Sequence, residues 1–295
     1  MCGGRPDLLC GGSSRSRSRS EPRRYARRVT APASLFVEEG DAVTATELSR
    51  GPWDPASCHG GPVAALLVRT CERVQDASDP TPWQLSRITV ELVRPVPVLA
   101  PLLLTSEVER PGRNVSLIAA RLTTEQGLEV ARARALRIRI ADIALPETFT
   151  PEPAFGDPGD GELLEPGFVG DQIAYHRDSV EMRFAAGSWS ERGPVSLWCR
   201  LLHPVLAGEE PTGAQRAIAA ADFGNGVSTE LDPTEMLFIN PDLSMHLLRQ
   251  PEGEWIGMQA RSHYGPHGAG LAESALFDGR GRCGRSVQSL FVAPR

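Results

Sequence analysis

Lysine is missing altogether, so the 31 basic residues of this 295-residue chain are all arginine. Other absences narrow the chain further. No G-x-S-x-G segment occurs, which argues against an α/β-hydrolase with its serine on a sharp strand-to-helix turn. The six cysteines, at positions 2, 10, 58, 71, 199 and 283, form no C-x-x-C and no regular spacing. That leaves neither a zinc site nor a disulfide framework and points to reduced thiols in a cytoplasmic protein. Every apolar stretch is interrupted by Arg, Glu or Pro, so none has the roughly 20 residues needed to span a bilayer. The amino-terminal segment also lacks the apolar region of a secretory signal.

What remains is globular. A hydrophobic share of 41% with 23% charged residues is that of a soluble protein, and 295 residues suffice for two domains that each bury a core. The charge is uneven. Residues 1 to 30 hold eight arginines against Asp7 and Glu21, so a chain of net charge −6 carries +6 there and −12 in the remainder. A body that acidic is a poor partner for nucleic acid. Residues 1 to 33, with SRSRSRS and RRYARR, read as a disordered Arg/Ser tail, because they bury too little apolar surface to offset an ordering cost of ~1–2 kcal/mol per residue.

From Ser34 the residues alternate around Gly40-Asp41 as a hairpin would. Val63, Leu66, Leu67 and Val74 then recur with helical period, and Gly60-Gly61-Pro62 suits the first turn of that helix. Strand signals follow, separated by turns at Pro111 to Asn114 and at Gln126-Gly127. One helix among antiparallel strands is an α+β pattern, since hairpin-length turns cannot make parallel crossovers. Residues 144–167, rich in proline and acidic residues without periodicity, read as a linker between an N-terminal domain (34–143) and a C-terminal one (168–295). The second half repeats the plan: strands over VEMRF and PVSLWCRLL, a helix over TGAQRAIAAADFGNG ending at Gly224 and Gly226, and four closing strands.

The stretch from Asn240 to Arg249, NPDLSMHLLR, carries the clearest alternation: Leu243, Met245 and Leu247 fall on one face, Asp242, Ser244 and His246 on the other. Setting Arg94 against Arg249 places Ile88, Val90 and Leu92 under those three apolar residues, Thr89 under Ser244, and Arg87 under Asp242. A chain built twice from one plan, with a carboxylate in one copy only, places its chemistry in the second half.

Together HGGPVAALL, RAIAAADFGNG, NPDLSMHLLR, LAESALFDGRG and SVQSLFV resemble the acyl-CoA thioesterase II-like family, over roughly residues 34 to 295. The resemblance implies a double hot-dog fold, two tandem antiparallel sheets each wrapped around a long helix. It implies a hydrolase of lipid metabolism that cleaves acyl-CoA to free acid and CoA without a cofactor or metal. Its partners are then an acyl-CoA substrate and, in a homo-oligomer, further copies of the chain, with no nucleic acid and no membrane. Carried over by motif, the catalytic set is Asp242 as the base for water, Gln288 on the last strand, and, where the family has a Thr or Ser, Arg261 with Ser262 adjacent to supply the hydroxyl. A positioned general base is typically worth ~10² to 10⁴ in rate. Oxyanion donors fall to backbone amides at a helix N-terminus, with Gly60 and Gly61 as candidates and the region before Arg216 as another.

Plainer duties compete for several of these residues. Asp242 could be a solvated strand-edge carboxylate, Gln288 an exposed polar residue, and Asp222 and Asn225 the C-cap and turn of the second helix. Gly279 to Gly284 matches G-x-G-x-x-G, but a strand follows it where a dinucleotide site needs a helix. His263 and His267 flank a Gly-Pro turn without a nearby third ligand. Two other functions stay open on the same fold: a non-catalytic acyl-thioester-binding module, and an enoyl-thioester hydratase, which would use an Asp and His pair such as Asp242 and His246.

Overall fold

Period-2 stretches become strands and 3.6-period stretches become helices, in the order the sequence dictates. The computed structural model describes residue 1 and residues 33–74, 82–146, 152–166 and 172–295, of which all but the first belong to one compact unit. Apart from Met1 and Ala33, the Arg/Ser tail lies outside the described residues.

The first half opens with the hairpin β1 (Phe36–Glu39) and β2 (Ala42–Ala45), then α1 (Gly60–Arg73). Four strands follow: β3 (Trp83–Leu92), β4 (Pro101–Arg110), β5 (Val115–Thr124) and β6 (Glu129–Arg139). The second half holds β7 (Glu162–Leu163), β8 (Val180–Ala186) and β9 (Val195–Leu201), then α2 (Gly213–Ala221) and the single turn α3 (Gly224–Val227). It ends with β10 (Met236–Ile239), β11 (Asp242–Leu247), β12 (Trp255–Tyr264), β13 (Ala269–Asp278) and β14 (Gly281–Pro294). All fourteen strands join one sheet in the order β1-β2-β4-β5-β6-β3-β11-β14-β13-β12-β9-β8-β7, with β10 paired to β14. The two halves therefore meet edge to edge at β3 and β11, which pair antiparallel with Ser244 opposite Thr89.

One face of this sheet is covered. Leu243, Met245 and Leu247 of β11 share a core cluster with Ile88 and Val90 of β3, Leu66 and Leu67 of α1, and Ala217 and Ile218 of α2. The antiparallel helices α1 and α2 lie against each other on that face. Their close approach depends on Gly61, where a Cβ would stand 2.7 Å from the Ala219 carbonyl oxygen.

Three features depart from expectation. The helices are shorter than the implied long ones, at fourteen residues for α1 and nine for α2, where the Gly-rich segment after Asp222 turns the chain. Within 152–166, Glu162 and Leu163 form the edge strand against β8, and Phe155 packs 5.1 Å from the Trp198 ring. Short elements escape pattern reading here because two to four residues cannot display a period. The same applies to β10 and to the wide helical turn at Tyr175–Ser179, which seats the fully buried Tyr175 beside α2.

Candidate functional site

At one end of the helix pair, the N-terminus of α1 meets Asp222, the residue that caps the end of α2. His59 is the N-cap of α1, and its Nδ1 lies 2.7 Å from Oδ2 of Asp222. Asp222 follows α2 directly and is 4% exposed. The other carboxylate oxygen, Oδ1, accepts from Asn240 Nδ2 at 2.8 Å and from Gln288 Nε2 at 3.4 Å. The Gly61 N–H is shared between the two side chains: it points at His59 Nδ1 at 3.2 Å and also reaches this carboxylate. Gly60 is required by the same crowding, since a Cβ there would sit 2.8 Å from both Asp222 oxygens.

Electrostatics decide the protonation of this cluster. Burial alone would raise the Asp222 carboxyl, but the His59 charge and the hydrogen bonds from His59, Asn240 and Gly61 outweigh it and hold the group below the usual carboxylate range. Asp222 is therefore ionised at neutral pH and acts as an acceptor for the groups around it. Aromatic rings wall the imidazole: Tyr175 at 5.0 Å and Phe223 at 4.7 Å between centroids. The neighbouring Cys58 thiol is pushed up to about 12 by burial, which keeps it un-ionised and unreactive.

Gln288 is 2% exposed, and its Nε2 also donates to the Asp222 carbonyl at 3.2 Å. Its Oε1 accepts from the Asn225 amide at 3.2 Å. Ser262 supports this arrangement from β12: its hydroxyl lies 2.8 Å from that of Ser228, which donates to the Gly224 carbonyl at 2.8 Å and so fixes the turn carrying Asn225. Gln288, Gly60 and Gly61 thus converge on Asp222, with Ser262 one layer behind. Arg261, exposed on the outer face, takes no part.

Asp242 lies elsewhere. It is half-buried on the outer face of β11, with Oδ1 accepting from the Ser289 amide at 2.7 Å, whereas Gln288 faces the helices. The structure does not bring the two side chains together. Nor does it pair Asp242 with His246, which lies four residues along an extended strand, about 13 Å away. His246 stands opposite Arg87, and burial, with Arg87 and Arg285, lowers its titration. The region before Arg216 is at the opposite end of the helix pair, where the N-cap Thr212 donates to Glu72 Oε2 at 2.9 Å.

Sequence reasoning missed His59 and Asn240 as site residues and set capping duty ahead of a site role for Asp222. A signal existed in each case: a histidine directly before a Gly-Gly helix start, and an asparagine two residues before a strand carboxylate. Neither signal says which face the residue will occupy. Among the described residues no His, Cys, Asp and Glu cluster could hold a metal ion, and no helix is long and apolar enough to cross a membrane. The G-x-G-x-x-G segment lies at the start of β14 with no helix after it.

Residues 49–138 match the family model for the acyl-CoA thioesterase N-terminal domain, and residues 146–292 match that for the acyl-CoA thioesterase C-terminal domain. No curated protein matches the chain. Among solved structures it is similar to a hot-dog-fold protein of unknown function from Alicyclobacillus acidocaldarius at 15% identity, with a TM-score of 0.67 over 88% of this chain and 96% of that one. A candidate thioesterase II from Thermobifida fusca gives 16% identity and a TM-score of 0.67 over 89% and 98%. The acyl-CoA thioesterase II TesB2 from Mycobacterium marinum gives 15% and 0.59 over 87% and 94%. Likeness at these identities shows the hot-dog fold.

Proposed function

This chain belongs to the acyl-CoA thioesterase family, and we propose that it hydrolyses an acyl thioester at the polar cluster around Asp222, with acyl-CoA as the substrate class. One observation carries the reading: an ionised, buried carboxylate from the second half is bonded to the N-cap of a helix from the first, beside a buried glutamine. Hydrolysis needs an activated water and a place for charge on the carbonyl oxygen. The Asp222 cluster supplies a proton acceptor on the wall of α1. The first amides of α1 have no intrahelical partner, and with the Gly61 N–H engaged by His59 and Asp222, that of Gly60 serves as the oxyanion donor. Loss of one such donor costs about 2.7–4 kcal/mol in a serine protease whose oxyanion hole works the same way. In this reading each half-sheet wraps its helix, so the site forms only when both halves are present.

Asp242 as the base remains the rival assignment, and the hydrogen bond from the Ser289 amide on the outer face gives it a structural duty instead. Hydration of an enoyl thioester needs an Asp and His pair, and His59 with Asp222 is such a pair. A panel of saturated acyl-CoAs of rising chain length, assayed for free thiol, and of enoyl-CoAs, assayed for loss of the double bond, tests the reading. Thiol release from saturated substrates supports hydrolysis. Hydration without thiol release, or binding without either, contradicts it.

A further inference from the structure

We propose that Trp53 and Arg295 form a platform for the adenine nucleotide of acyl-CoA, so that the protein selects this thioester over those that carry no nucleotide. The inference rests on the hydrolase reading and deepens it, by naming residues that recognise the far end of the leaving group.

Trp53 differs from the other four tryptophans, which are buried or half-buried, in leaving 48% of its surface exposed. Its position is fixed. The loop that carries it, between Arg50 and His59, is closed by the Gly51 amide on the Ser57 carbonyl at 2.8 Å and by Arg50 Nε on the Pro55 carbonyl at 2.9 Å. The Cys58 amide ties the end of the loop to the Val96 carbonyl at 2.8 Å. A ring held in place before a ligand arrives loses little freedom on binding it.

Two contacts define the surroundings of the ring. Phe238 of β10 meets it edge to face, with centroids 5.7 Å apart and planes at 87°. The Arg295 guanidinium lies over it, 5.3 Å from the ring centroid. Arg295 is anchored by its amide, which donates to the Glu235 carbonyl at 3.0 Å, and by Nε, which donates to the Pro233 carbonyl at 2.8 Å. No described aspartate or glutamate pairs with its guanidinium. The carboxylate next to Trp53, that of Asp54, is turned into the loop, where it accepts from the Ala56 amide at 3.0 Å and the Ser57 hydroxyl at 2.7 Å. An exposed indole beside a guanidinium without a carboxylate offers a face to a base and a cation to a phosphate.

The platform stands at the Asp222 end of the molecule. Phe238 is two residues before Asn240, whose side chain binds Asp222, and Trp53 is six residues before His59. A thioester whose carbonyl is held at the start of α1 has two ends to place. Its acyl group is apolar and gains nothing from a cation in solvent. Only the CoA end brings an aromatic base together with phosphates.

The experiment compares kcat/KM for an acyl-CoA and for the acyl-pantetheine of the same acyl group, in the parent, Trp53→Ala and Arg295→Gln, with circular dichroism confirming each fold. The parent is expected to prefer acyl-CoA by about tenfold to a hundredfold, the worth of stacking one base on an aromatic side chain, and to do so through KM. Trp53→Ala should bring the preference near one, and Arg295→Gln should lower it by about threefold, as loss of an exposed ion pair does. Adenosine 3′,5′-bisphosphate should quench the tryptophan fluorescence of the parent and not that of Trp53→Ala. An active parent without the preference, or a preference that survives intact in Trp53→Ala, overturns the inference alone. Should Trp53→Ala not fold, a preference unchanged in Arg295→Gln overturns it equally. A parent inert on both substrates overturns the hydrolase reading itself, and fluorescence unmoved by the bisphosphate then overturns the platform as well.

Discussion

Thr89 and Ser244 occupy the same position in the two half-chains, 155 residues apart, and their hydroxyl oxygens stand 2.9 Å from each other across the β3/β11 seam. In an antiparallel pair, a residue can face its own counterpart only on the axis that relates the two strands. The neighbouring pairs obey the same relation: Arg87 faces His246 and Glu91 faces Asp242, with Arg87 the counterpart of Asp242 and Glu91 that of His246. The helix pair follows suit. His59, the N-cap of α1, binds Asp222 beyond α2, and Thr212, the N-cap of α2, binds Glu72 at the end of α1. Both carboxylates take a buried glutamine, Gln288 on Asp222 and Gln215 on Glu72, but only Asp222 adds an asparagine and is held below the usual carboxylate range while burial raises Glu72, which is why chemistry is assigned at the first end.

At the seam, Thr89→Val and Ser244→Ala should each cost about 0.5–1.5 kcal/mol of unfolding free energy, because each leaves one hydroxyl without its partner. The double variant should cost less than the sum, as residues in direct contact do. Urea titration of the four proteins checks this, and additive costs would mean that the pair does not form.

Between the helices, Gly61→Ala should destabilise by about 1–3 kcal/mol, since its methyl would meet the Ala219 carbonyl and push α1 from α2. Gly226 faces open space, so Gly226→Ala serves as the control. Equal melting temperatures for the two variants would contradict the close approach.

At the far end of the pair, burial raises the Glu72 carboxyl against the lowering effect of Gln215 and Thr212. A carboxyl raised in the folded state costs stability as pH climbs from its unfolded value through its folded one, because the native protein must then ionise a buried group. Glu72→Gln keeps an acceptor for Thr212 and removes that cost. Thermal melts should show the variant gaining on the parent between pH 4 and pH 8, and a gap independent of pH would refute the burial effect.

How much of this was legible in the sequence depended on whether the signal was local. The alternation of Leu243, Met245 and Leu247 sufficed to place β11, and its match to Ile88, Val90 and Leu92 identified the strand that turned out to be its neighbour. Gln288, Gly60 and Gly61 were legible through their motifs. Asp222 was not, because a carboxylate before Gly224 and Gly226 reads as the end of a helix, which it also is; its partners His59 and Gln288 lie 163 and 66 residues away. Asp242 drew attention because a charge opening an alternating strand is conspicuous. Alternation placed it opposite Leu243, but only the fold shows Gln288 on the Leu243 side.

Gln288→Ala should lower kcat less than loss of the Asp222 charge, since Gln288 holds the carboxylate and the Asn225 turn without exchanging a proton. A fall of about tenfold to a hundredfold at unchanged KM is expected from steady-state kinetics. A larger fall than that of Asp222→Asn would reverse the two roles.

The central claim, that the reaction is run from the Asp222 cluster between the halves, is tested most directly by acyl-CoA thiol release in Asp222→Asn and Asp242→Asn measured side by side. Asp222→Asn removes the buried negative charge at the centre of the cluster and should lower kcat by about 10²- to 10⁴-fold. Asp242→Asn, on the outer face, should stay within about threefold of the parent. The reverse result, a collapse in Asp242→Asn with Asp222→Asn near parent turnover, would contradict the account and return the base to the outer face of β11.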